Sequence, residues 1–168
     1  ADACSYVSTT GQTSQTTCAV GTYQATVGQS SCDNASAGNY VSTTGQSSQT
    51  ACAVGTYQAT AGQISCDNAD AGSYVSTTGQ TSQTTCAVGT YQATVGQLSC
   101  ANAGAGHYVS TTGQSSQTAC AVGTYQATAG QIPCDNADAG SYVSTTGQTS
   151  TTTCAVGQYQ ATAISIYT

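Results

Sequence analysis

The stretch Cys18-Ala-Val-Gly-Thr-Tyr-Gln-Ala-Thr-Val-Gly-Gln-Ser-Ser-Cys32 constrains the fold more than any other feature of the chain, because it recurs. It returns almost unchanged from Cys52, Cys86 and Cys120, and truncated from Cys154, at a step of 34 residues. A shorter step lies inside it. Tyr6-Val-Ser-Thr-Thr-Gly-Gln and Tyr23-Gln-Ala-Thr-Val-Gly-Gln are variants of one phrase, so tyrosines fall every 17 residues, at 6, 23, 40, 57, 74, 91, 108, 125, 142 and 159. Only Tyr167 leaves this ladder. So short a period implies one small unit repeated against its neighbours.

A 17-residue unit is too short for a helical hairpin and matches one coil of a β-solenoid. Thr, Ser and Gly dominate, and no helical apolar stripe appears. Tyr-Val-Ser-Thr-Thr and Tyr-Gln-Ala-Thr-Val predict short strands. Every glycine except Gly104 stands two residues before or five after a ladder Tyr, where a coil must turn with positive φ or close backbone approach. The expected fold is all-β: a disulfide-stapled β-solenoid of about ten 17-residue coils, arranged as a 34-residue double repeat with atypical capping ends. Stacked at about 4.8 Å, the coils would make a rod on the order of 50 Å long. The array reads as a single repeat domain, 1–168, with an N-terminal cap at 1–5 containing Cys4, coils over 6–162 and a cap strand at 163–168.

Composition agrees with a thin interior. A chain of 168 residues would normally hold one domain with a sizeable core, yet Phe, Trp and Met are absent. Ile64, Leu98 and Ile132 are the only Ile or Leu side chains before the tail. Charge is one-signed: Lys and Arg are absent and the acids are Asp2, Asp33, Asp67, Asp70, Asp135 and Asp138, for a net charge of −6. With no cation to neutralise phosphates, nucleic acid and anionic membranes are excluded as expected partners. No apolar run is long enough to span a bilayer. Ala1-Asp-Ala-Cys reads as a mature end left after cleavage of a leader.

Ten regularly spaced cysteines point to an oxidising compartment and a secreted, stapled protein. Zinc is not expected, since Cys-x-x-Cys pairs are lacking and His107 is the sole histidine. Two local pairings are open. One joins 18–32, 52–66, 86–100 and 120–134 and strands Cys4 and Cys154; the other joins 4–18, 32–52, 66–86, 100–120 and 134–154 and leaves none over. Complete pairing favours the second, and it makes Cys4, on a corner that Gly fills in all later coils, a purposeful end staple. The unusual ends, Cys4 at one and Ala163-Ile164-Ser-Ile166-Tyr167-Thr168 at the other, read as two caps on a discrete rod.

If equal positions stack, two faces follow. The Tyr ladder shares one side with Ser/Ala and Thr/Val/Ala; the other side carries a Thr in every coil: Thr9, Thr26, Thr43, Thr60, Thr77, Thr94, Thr111, Thr128, Thr145 and Thr162. Thr22, Thr56, Thr90 and Thr124 support that rank in alternate coils, and Val or Gln stands between. Gln recurs just past the second Gly from Gln12 to Gln148, where an amide ladder could run along the axis.

Catalysis is not expected, so the protein is read as no enzyme and as carrying no cofactor. One His, no Glu and no Lys leave the many serines without an activating base. His107 replaces Thr, Ser or Asn of other coils and reads as an exposed variant. Cys-Asp-Asn-Ala-Asp at 66–70 and 134–138 lacks the frame and the bidentate Glu of a calcium loop, so it reads as a solvated turn. Asn34-Ala35-Ser36 is a glycosylation sequon.

A rigid, uncharged array of Thr hydroxyls and methyls can hold ordered water at a repeating spacing. In this the chain resembles the hyperactive antifreeze proteins, secreted β-solenoids with outward Thr ranks. The resemblance implies ice binding by Thr9 through Thr162 with Thr22, Thr56, Thr90 and Thr124, or by the Tyr ladder, on a monomer whose partner is ice. A second resemblance rests on Cys-x-x-Gly-Thr-Tyr-x-x-x-x-Gly-x-x-x-Cys, which is similar to the short cysteine-rich repeats of ephrin-receptor-like ectodomains. It implies disulfides within each 14-residue loop and a structural or adhesive extracellular role, as a surface coat or filament component. Separately, the many Ser and Thr could carry O-glycans, and self-assembly into filaments is the alternative to a monomer.

Overall fold

The structure is a computed structural model that describes residues 1–160. The expected tail strand at 163–168 and Thr162 lie outside the described residues. Two compact units are present, one comprising Ala1–Asp70, Tyr74–Thr84 and Val95–Ser99, the other Ala71–Ser73, Thr85–Thr94 and Cys100–Thr168. Among the described residues the secondary structure is all β, with no helix.

The strands are very short and fall at fixed places in the repeat. β1 (Ser5–Tyr6), β2 (Thr16–Thr17), β3 (Thr22–Tyr23), β4 (Asp33–Asn34), β5 (Asn39–Tyr40) and β6 (Thr50–Ala51) begin a series that runs to β18 (Thr152–Thr153). Consecutive strands pair two by two. In the first unit Ser5 lies opposite Thr17 and Tyr6 opposite Thr16, Thr22 opposite Asn34 and Tyr23 opposite Asp33, and Asn39 opposite Ala51, all antiparallel. The second unit repeats the register with Thr90 opposite Asn102 and His107 opposite Ala119. The expected five-residue runs are therefore strands only at the Tyr itself, from Tyr6 to Tyr142, and the rest of each run bends away. The physical reason lies in the next residue. Its side chain turns inward, while its N–H donates forward: Val7 to Gln29 O at 3.1 Å, Gln24 to Gln46 O at 3.0 Å and Val41 to Gln63 O at 3.0 Å.

The Gln positions do build a ladder, but with backbone carbonyls in place of side-chain amides. The amides fold back locally, as where Gln46 Nε2 donates to Thr43 Oγ1 at 3.0 Å. The glycine two residues before each Tyr supplies a second forward bond, from Gly21 N to Val41 O and from Gly38 N to Gln58 O, each 2.8 Å, whereas the glycine five residues after Tyr donates backward, as from Gly45 N to Cys18 O at 2.8 Å. Every described glycine except Gly104 has positive φ, and so does Cys4, at 74°, on the corner that glycine fills elsewhere. At Gly38 the reason for glycine is twofold. Its φ is 81°, and a Cβ there would collide with the carbonyl of Gly79, whose carbon lies 2.9 Å from the Cβ position.

The core is as thin as the composition demands. The largest fully buried side chains are Cys18, Cys52, Cys86 and Cys120. At the matching place in alternate repeats stand buried Ala35, Ala69, Ala103 and Ala137. After each ladder Tyr the interior takes Val41, Val75, Val109 and Val143, alternating with Gln24, Gln58 and Gln126, all buried. Ile64, Leu98 and Ile132 are exposed, so the larger aliphatics do not serve the core.

The disulfides join Cys18–Cys32, Cys52–Cys66, Cys86–Cys100 and Cys120–Cys134, with Cα atoms 5.7–5.8 Å apart, and Cys4 and Cys154 are free. The preference for 4–18, 32–52, 66–86, 100–120 and 134–154 is thus overturned. Antiparallel pairing folds each 14-residue loop on itself, bringing its own two cysteines together. Cys4 belongs to the glycine series by its positive φ and is not one of the staples.

Candidate functional surface

Thr9, Thr26, Thr43, Thr60, Thr77, Thr94, Thr111, Thr128 and Thr145 are all exposed, as expected of an outward rank. They sit on bends rather than on a strand face. Their hydroxyls meet glutamines in two alternating ways. In the cystine-containing repeats Thr26 Oγ1 and Thr26 N both donate to Gln24 Oε1, each at 3.0 Å, and Thr60, Thr94 and Thr128 do the same with Gln58, Gln92 and Gln126. In the other repeats the hydroxyl accepts: Gln80, Gln114 and Gln148 Nε2 each lie 2.9 Å from Thr77, Thr111 and Thr145 Oγ1. The chemical period of the rank is therefore the double repeat, with donors spent in one repeat and acceptors engaged in the next.

Thr22, Thr56, Thr90 and Thr124 do not join that rank. Each Oγ1 donates to the carbonyl three residues back, of Ala19, Ala53, Ala87 or Ala121, at 2.7–2.8 Å, and the side chains are half-buried or, at Thr124, buried. They are turn clasps, a local habit of Thr. The Tyr ladder is half-buried from Tyr6 to Tyr125, while Tyr142 and Tyr159 are exposed.

Buried Gln24 is the polar centre of the cystine repeat. Its Nε2 donates to Ser31 O at 2.8 Å, beside Cys32, while its Oε1 takes the two bonds from Thr26. Gln58 and Gln126 reach Ser65 O and Pro133 O in the same way. Among the described residues no buried side-chain nitrogen or oxygen lacks a partner.

The repeats without cystine have a closure that sequence reasoning missed. Gln49 stands where Cys32 stands one repeat earlier. Its Oε1 accepts from Ser36 N at 2.7 Å and from Ser36 Oγ at 3.1 Å. Gln15 and Gln83 grip both the backbone N–H and the carboxylate of Asp2 and Asp70. Gln117 accepts from Gly104 N at 2.7 Å. The signal was present in the sequence, as Gln at the period-shifted cysteine position.

Asp33, Asp67 and Asp135 are exposed on strands, and among the described residues no cluster of His, Cys, Asp or Glu is arranged to hold a metal. His107 is half-buried, with Nδ1 3.2 Å from Ala105 O. Beside Cys134 a cleft of about 380 Å³ is lined by Tyr108, Ile132, Pro133 and Asn136.

A family model described as tyrosine-protein kinase ephrin type A/B receptor-like matches residues 72–120. The matched stretch contains the Cys86–Cys100 disulfide, closed within its own loop as that resemblance implies. No curated protein matches the chain.

Proposed function

We propose that the chain is a structural extracellular repeat protein, a surface-coat or filament component whose units stack as a disulfide-stapled solenoid. The observation that carries this reading is the forward bonding of each repeat. Within either compact unit the glycine two residues before Tyr and the residue after Tyr donate their N–H groups into the following repeat, as in Gly55 to Val75 O and Gln58 to Gln80 O. Such bonding is additive: each repeat offers its successor what it accepted from its predecessor, so rigidity accumulates without a large core. Four cystines and the ephrin-receptor-like match over 72–120 support an oxidising, extracellular setting.

A second reading, ice binding, is favoured by the exposure of Thr9 through Thr145. Against it, the supporting threonines are turned into turn clasps and the rank alternates in hydrogen-bond polarity. One experiment separates the two. The oxidised protein is examined by electron microscopy and sedimentation for assemblies, and by thermal hysteresis in a freezing droplet. Assemblies without hysteresis are expected; a monomer that arrests ice-crystal growth would overturn the structural reading.

A further inference from the structure

We propose that Asn34 carries an N-linked oligosaccharide, and that its three equivalents in the array do not. The proposal rests on the extracellular reading above. Asn34, Asn68, Asn102 and Asn136 occupy the same place one double repeat apart, each the second residue of a short strand and each exposed. Only Asn34 has a hydroxyl two residues on, at Ser36; the others meet Asp70, Gly104 and Asp138. A transferase reading Asn-x-Ser/Thr therefore finds one acceptor among four near-identical sites.

The folded geometry accommodates the product. Asn34 turns its Cγ and Oδ1 toward Gly62, each 3.6 Å from where a Gly62 Cβ would stand, which places Nδ2 on the opposite side of the carboxamide. Ala35 between the two sequon residues is fully buried, so the strand holds Asn34 outward while Ala35 fills the interior. In the transfer, Nδ2 of Asn34 bonds to the anomeric carbon of a lipid-pyrophosphate-linked oligosaccharide. The bond from that carbon to the pyrophosphate breaks, the lipid pyrophosphate leaves, and the amide gives up one proton.

Ser36 has a separate structural use, since its hydroxyl donates to Gln49 Oε1 and accepts from Asn39 Nδ2. The test must therefore read the sugar itself. Protein isolated from its source is treated with peptide N-glycosidase in heavy-oxygen water and its peptides are weighed. Asn34 should return as Asp carrying heavy oxygen, with Asn68, Asn102 and Asn136 unchanged. Exported, disulfide-bonded protein with unmodified Asn34 would overturn the glycan and leave the extracellular reading standing. Protein recovered inside the cell with reduced thiols would overturn both. In a glycosylating secretory host, the single mass step should vanish in Asn34→Gln, persist in Ser36→Thr and double in Asp70→Ser, which completes a sequon at Asn68. A step that survives Asn34→Gln would place the sugar elsewhere and sink the proposal.

Discussion

The repeat closed by Cys18–Cys32 and the one that follows it, closed by Gln49 on Ser36, share one backbone and differ in how it is tied. Both pair two-residue strands in the same register, Thr22 with Asn34 and Asn39 with Ala51. Both donate forward from a positive-φ glycine, Gly21 or Gly38, at 2.8 Å. Their interiors are complementary: the first buries Cys18 and Gln24, the second Ala35 and Val41. The glycine corners and forward bonds therefore set the path, and closure is an addition that comes in a covalent and a hydrogen-bonded form.

That comparison is open to attack at the corners first. Gly21→Ala and Gly38→Ala each place a Cβ against a glycine carbonyl, of Gly62 or Gly79, at φ near +80°. Both should cost about 4 kcal/mol in denaturant unfolding, through steric overlap added to left-handed strain. The two losses should be equal; a large gap between them would show that the two repeats do not share one backbone mechanism.

The covalent closure comes next. Cys52→Ala with Cys66→Ala opens a loop with a sequence separation of 14 and should lower unfolding free energy by about 3 kcal/mol. An unchanged urea midpoint would mean that the forward bonds alone hold the repeat. The converse change, Ala35→Cys with Gln49→Cys, puts the covalent form into a hydrogen-bonded repeat. It should form a fifth cystine beside the four present, detected by mass and thiol counting. The gain should be about 2 kcal/mol, near 3 for the loop less about 1 for the lost hydrogen-bonded clasp. Failure of that cystine to form would break the positional equivalence.

The smallest effect belongs to the clasp itself. Gln83→Ala removes the bonds to Asp70 N and Asp70 Oδ2 and should cost about 1 kcal/mol, with faster hydrogen exchange at the Asp70 amide. Protection unchanged at Asp70 would show the clasp to be incidental.

Much of this was legible in the chain. The glycine spacing predicted positive φ at each corner, and even Cys4 follows the rule from its place in the series. The shortage of large side chains predicted a thin interior, which Cys, Ala and Val fill together with buried Gln. The rank from Thr9 to Thr145 was expected to face outward and does. What escaped were the partners: Thr22 looked like a member of that rank but spends its hydroxyl on Ala19 O, and Gln15, Gln49, Gln83 and Gln117 carried no expected role.

The physical reason divides the two sets. A backbone that must pass through positive φ, or approach another backbone closely, excludes a Cβ at that residue, so the requirement is written where it applies and repeats with the period. Pairing is a relation between residues that lie apart in sequence. A periodic chain offers several pairings with similar spacing, and 18–32 and 32–52 are both short enough to close. Only the antiparallel fold of each loop decides which side chains arrive within bonding distance. The sequence by itself determined the period, the corners and the thin core; the tertiary structure decided which cysteines bond, where each strand stops and which hydroxyls are left facing water.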